Sequence, residues 1–170
     1  GTSQTISYYD VLSQSPQTFD FLLSGLFYLL EQCPEIRDPQ ANIQFWADNG
    51  MANTPVLWAL HKLRLNLHPS CMLVLNSFGP RHGHNICDGH FANWKKKLRA
   101  QVANGLVTSV DQILSCGQQL KNTSVEIRHI SEQTHRLPKT LCGIKSFLSF
   151  EILPDRVVNC YKSTESSEFI

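Results

Sequence analysis

The spacing of apolar positions changes along the chain, and each change marks an element. Ile6 to Leu12 (ISYYDVL) is dense in β-branched and aromatic residues and predicts a strand. Ser15-Pro16 reads as a helix start, with proline in the first turn, where its missing N–H is no loss. Phe19, Leu22, Leu23, Leu26, Phe27, Leu29 and Leu30 recur at helical spacing, so roughly residues 16 to 33 form a buried helix, ended by Cys33-Pro34. Asn42 to Ala47 (NIQFWA) predicts a short apolar strand, with the turn signal Asp48-Asn49-Gly50 directly after it. Thr54-Pro55 opens another helix, with Val56, Leu57, Leu60 and Leu63 on one face. Cys71 to Leu75 (CMLVL) is a second short, strand-like apolar run.

Gly79 to Asn85 reads as a loop. From Ile86 the helical period returns through Phe91, Trp94, Leu98 and Val102, with a basic cluster interleaved. Trp46, Trp58 and Trp94 all read as core residues. Val110 to Leu120 predicts a further helix, with Thr108-Ser109-Val110-Asp111 as its capped start. Val125 to Ile130 alternates and predicts a strand. Pro138 to Gly143 is a break. Phe147 to Leu153 and Val157 to Tyr161 predict two strands of a hairpin around Pro154-Asp155. Strands alternate with helices and the strand runs are apolar throughout, which is the pattern of an α/β fold with a largely parallel sheet covered on both faces. One domain over residues 1–161 is expected, followed by a polar tail over 162–170.

Composition narrows the classes. A hydrophobic fraction of 42% in 170 residues supports a full core rather than disorder. The net charge is only +1, so any attraction to nucleic acid must come from local clusters. No run of about 20 apolar residues is present, so no membrane span is expected. Gly1-Thr2-Ser3 lacks a basic region before an apolar core, so no secretory signal is expected. The six cysteines show no paired CxxC spacing, which favours a reduced, intracellular protein. No nucleophile elbow, P-loop or GxGxxG pattern occurs, and no small-molecule substrate is expected.

Two acids stand where chemistry is usually sited. Asp48 follows an apolar strand, at the carboxyl edge where open α/β sheets bind ligands. Asp88 opens a basic helix. Each also has an ordinary explanation: a turn aspartate bonding its own backbone, and a carboxylate favoured at a helix N-terminus. Together they would repel unless a divalent cation lay between them. Mg²⁺, or Mn²⁺ in its place, suits such a site, being held by carboxylates and substrate phosphate.

The segment Phe45-Trp46-Ala47-Asp48-Asn49-Gly50 resembles the strand end that carries the second acid of many eukaryotic DDE/D transposases. His82-Gly83-His84-Asn85-Ile86-Cys87-Asp88-Gly89 resembles the HGK-x-x-CDG motif at their third acid. The similarity spans roughly residues 5 to 160. It implies an RNase H-like mixed sheet flanked by helices, Asp48 and Asp88 as the second and third catalytic, metal-ligating acids, and DNA as the partner, with or without a second copy of the chain. A nuclear location and Mg²⁺-dependent phosphodiester cleavage and strand transfer follow from the same resemblance. His84 stands where the family has lysine, and His90-Phe91 replaces a small pair. Ile6 to Leu12 corresponds to the third strand, so the first two strands, with the first acid, lack a counterpart here. Asp10 is a substitute that the missing hairpin argues against.

His82, His84, Cys87 and His90 are four potential zinc ligands within nine positions, a spacing that would strain tetrahedral geometry. The histidines, His82 and His84 among them, are better placed to line the site, contact DNA phosphate or satisfy backbone groups. Lys95, Lys96, Lys97 and Arg99 are candidates for gripping the DNA backbone, with a solvated helix face as the plainer alternative. A non-catalytic, transposase-derived DNA- or protein-binding module is the rival function.

Overall fold

The structure, a computed structural model, describes residues 6–13, 18–47, 53–78, 86–105, 107–128, 143–155 and 159–161. Along the chain come strand β1 (Tyr8–Leu12), helix α1 (Phe19–Gln32), a 3₁₀ turn (Pro34–Arg37), strand β2 (Asn42–Ala47), helix α2 (Thr54–Arg64) and strand β3 (Met72–Ser77). Helix α3 (Ile86–Ala103), helix α4 (Val110–Gln118), strand β4 (Thr123–Ile127), a second 3₁₀ turn (Ile144–Ser146) and strands β5 (Ser149–Glu151) and β6 (Asn159–Tyr161) complete it. Among the described residues this is a mixed α/β arrangement with four helices and two sheets. It divides into two compact units, a helix-pair unit of Gly1–Gln14 with His84–His129 and a strand-rich unit of Ser15–Gly83 with Ile130–Ile170.

The strand-rich unit carries the aliphatic core. Its sheet runs β2-β3-β5-β6. β2 and β3 are parallel, from Asn42 opposite Met72 to Ala47 opposite Ser77. β3 pairs antiparallel with β5, and β5 with β6, so the expected hairpin forms the far side of the sheet. α2 joins the parallel pair, and its predicted apolar face of Val56, Leu57, Leu60 and Leu63 is buried, with Leu57 and Leu63 fully so. Leu26 and Leu30 of α1 join that core with Leu73, Leu75 and Phe150 of the sheet. Asn53 caps α2 by accepting from the Val56 N–H at 3.0 Å, and Pro55 sits in the first turn. Arg64 is buried beyond the core, its guanidinium donating to the carbonyls of His68 (3.0 Å) and Pro69 (2.7 Å). A buried cation needs such acceptors, and these tie the end of α2 to the approach of β3.

Four expectations are corrected. α1 begins at Phe19, three residues after Pro16, because Thr18 is extended and its Oγ1 accepts from the Phe21 N–H at 3.4 Å. β2 is not covered on both faces: Asn42, Gln44 and Trp46 face outward while Ile43, Phe45 and Ala47 are partly buried. Trp46 is therefore 50% exposed, touching the Phe78 ring at 5.4 Å, and it is not core. Trp58 is half-buried and stacks on His61 at 5.3 Å with Lys62 over its ring. The period of two explains β2: alternate side chains point to opposite faces, and Ile43, Phe45 and Ala47 point to the face packed on the core.

The helix-pair unit is built differently. β1 and β4 are parallel, from Tyr8 opposite Thr123 to Leu12 opposite Ile127. Asn122, with φ of 54°, turns the chain into β4, its side-chain amide donating to the Ile6 carbonyl at 3.1 Å. Asparagine tolerates this left-handed backbone better than most residues. α4 opens on a capping box, with Ser109 and Gln112 each bonding the other's backbone. Gly117 lets α4 approach closely: a Cβ there would lie 2.6 Å from Trp94 Cζ2 and 2.7 Å from Val125 Cγ2. α3 turns only His90 and Trp94 fully inward. Phe91 is one residue round the helix from His90 and 58% exposed, so the stripe expected to join Phe91 to Trp94 does not form.

Candidate functional site

The two acids belong to different units. Asp48 lies outside the described residues. Its neighbour Ala47 is the last residue of β2, paired with Ser77 at the end of β3. Ser77 is 2% exposed, and its hydroxyl has no hydrogen-bond partner among the described residues. Asp88 is the third residue of α3, exposed in the first turn, where unpaired backbone N–H groups favour a negative charge. Its hard oxygen atoms are of the type that holds Mg²⁺ or Mn²⁺. Among the described residues, no group of three or more His, Cys, Asp or Glu side chains is gathered as a metal site.

The histidine constellation divides. His82 and His84 lie outside the described residues. Cys87 is exposed, whereas His90 is buried. His90 faces β1: its Nε2 lies 2.9 Å from Asp10 Oδ2, and with the carboxylate accepting, that nitrogen carries the proton. Trp94 Nε1 donates to the same oxygen at 2.8 Å. The Tyr8 ring stacks on the imidazole, centroids 4.0 Å apart and planes 4° from parallel.

This Asp10, His90, Trp94 and Tyr8 cluster is the feature that sequence reasoning missed. Its signals were present separately. His90 and Trp94 are four apart, so they share a helix face, and Tyr8 and Asp10 are two apart, so they share a strand face. What joins the two faces is the β1–β4 pairing and the packing of α3, and no local pattern carries that.

The basic cluster also separates by direction. Lys95, Lys96 and Arg99 are exposed, with Lys95 5.5 Å from the centroid of the Phe91 ring. Lys97 is half-buried and donates to the Gln119 carbonyl at 3.3 Å, at the C-terminal end of α4, where cations are favoured. Three of the four are thus turned to solvent, and one also ties the two helices together. No helix among the described residues is long and apolar enough to cross a membrane.

The site and fold define a mixed α/β protein with a solvent-facing basic helix that opens on an acid. Comparison with known protein families, with characterised proteins and with solved structures gives no match for the chain.

Proposed function

We propose that the chain is part of an RNase H-like catalytic core of the DDE/D transposase type, acting on DNA through Asp48 and Asp88. The observation that carries the reading is the setting of Asp88. The acid of the HGH-x-x-CDG block sits in the exposed first turn of an 18-residue helix whose outer side presents Lys95, Lys96 and Arg99. The parallel β2–α2–β3 unit adds support, because Asp48 follows directly on the last residue of β2, the edge at which α/β sheets place ligands. β2 ends its sheet among the described strands, so its outer side suits the further strand that the resemblance requires for the first acid.

In this reading Asp48 and Asp88 would each serve as a metal ligand, and His82 and His84 would contact substrate phosphate. Lys95, Lys96 and Arg99 neutralise backbone phosphates and fix the strand against the helix. The chemistry such a metal would supply is activation of the attacking oxygen and charge compensation on the leaving one. The protein's part is to orient the DNA and to keep hard oxygen ligands at the scissile bond.

Asp48→Asn and Asp88→Asn should each abolish Mg²⁺-dependent strand cleavage while the circular dichroism spectrum is kept. Cleavage surviving in both variants would overturn the assignment. One observation favours a non-catalytic binding module instead: His90, inside the motif's helix, is spent on the buried contact with Asp10. DNA binding that survives both substitutions, from a protein that never cleaves, would select that second reading.

A further inference from the structure

The helix-pair unit contains a cavity of about 480 Å³ between the start of β1, the first turns of α3 and the turn that leads into β4. Its size lies within the range of small-molecule sites. Its walls combine three chemistries. Ile6 and Ile86, 44% and 59% exposed, are apolar flanks. Tyr8 and His90 contribute their stacked rings, fixed from behind by Asp10. Asn93, Lys121 and Asn122 are the polar side, and Lys97 reaches the same turn through Gln119.

Gly89 is the residue that leaves the space open. A glycine inside a helix weakens it relative to alanine, so its presence there asks for a reason. At Gly117 the reason is a close neighbour, Trp94. At Gly89 no described atom lies within 4 Å of an added Cβ, and the residue lines the cavity. The missing side chain serves volume, not packing.

We propose that this cavity binds one unpaired nucleotide. A base fits between the isoleucine flanks and the aromatic pair, because every base offers an apolar face to stack. The asparagine amides can both donate to and accept from a base edge. The ammonium group of Lys121 suits its phosphate. The choice of a nucleotide over another planar anion rests on the nucleic-acid reading above; the cavity and its glycine do not.

The test uses the full chain with a fluorescent DNA hairpin, blunt or bearing a short unpaired tail, and deoxyadenosine monophosphate as competitor. The tailed hairpin should bind about fivefold tighter or more, the ratio that one stacked base supplies. Gly89→Leu should erase that ratio without lowering the melting temperature, since leucine fills the cavity and favours helix. Asn93→Asp, at an exposed position, should reduce it by replacing a base-facing amide with a negative charge that repels the anionic nucleotide. Displacement of the tail by the mononucleotide supports a site for free nucleotide; a tail preference without displacement supports a strand-borne base. Equal binding of tailed and blunt hairpins, or a ratio unchanged in Gly89→Leu, overturns the pocket and spares the DNA reading. Mononucleotide binding with no DNA affinity keeps the pocket and removes that reading. Absence of both overturns both.

Discussion

The two units hold themselves together by different means. The strand-rich unit has a continuous aliphatic core in which Leu57, Leu63, Leu73 and Phe150 are wholly buried. The helix-pair unit has a two-stranded sheet of half-buried residues, and at its centre a carboxylate shared by an imidazole and an indole. Apolar burial is proportional to area and tolerant of small adjustments. A buried polar cluster depends on every donor finding its acceptor, and it fails as a set. The first unit is suited to be a scaffold. The second trades tolerance for fixed orientation of α3, which carries Asp88 and the lysines.

Substitutions can break this contrast at graded cost. The largest effect is expected for Phe150→Ala, about 3–5 kcal/mol from lost burial and the cavity left behind. Urea unfolding followed by hydrogen exchange should show protection falling first in β3 and β5. A loss below about 1 kcal/mol would contradict the scaffold role. Next comes Asp10→Ala, which strands two buried N–H groups and should cost about 2–3 kcal/mol. Asp10→Asn keeps an acceptor and should cost less; equal losses in the two would show that the cluster does not act through hydrogen bonding. The smallest is Ser109→Ala, about 1 kcal/mol from the capping box of α4. Its thermal shift should vanish if Gln112 alone holds that helix end.

The same contrast separates what was legible in the sequence from what was not. β2 is the segment Asn42–Ala47 that its apolar run marks, α2 begins at Thr54, and α4 begins beside its serine cap. These rest on local signals: period, cap and proline. The outward turn of Trp46 was less legible, because NIQFWA fits both a covered strand and a one-faced strand, and only what packs on each face distinguishes them. Phe91 misled for a related reason: α3 buries so few residues that its apolar letters do not fix the buried face. Asp10 and His90 lie 80 positions apart, and nothing near either announces the other. For the candidate site, Asp88 and the lysines fall on a helix as read, although Lys97 is partly occupied by Gln119. The roles of these residues and of Asp48, His82 and His84 stay with the proposal.

The uneven burial of the cysteines has a practical sequel for thiol chemistry. Of the five described, Cys33, Cys71 and Cys116 are shut away from solvent, and burial pushes the Cys160 thiol up from its ordinary acidity. Thiolate is the form that alkylating reagents capture, and it must be reachable. Cys87 is exposed, one residue before Asp88. Nature has therefore left a chemical handle beside the acid on which the functional proposal turns, and a spin label or fluorophore coupled there would report directly on whether metal or strand approaches it.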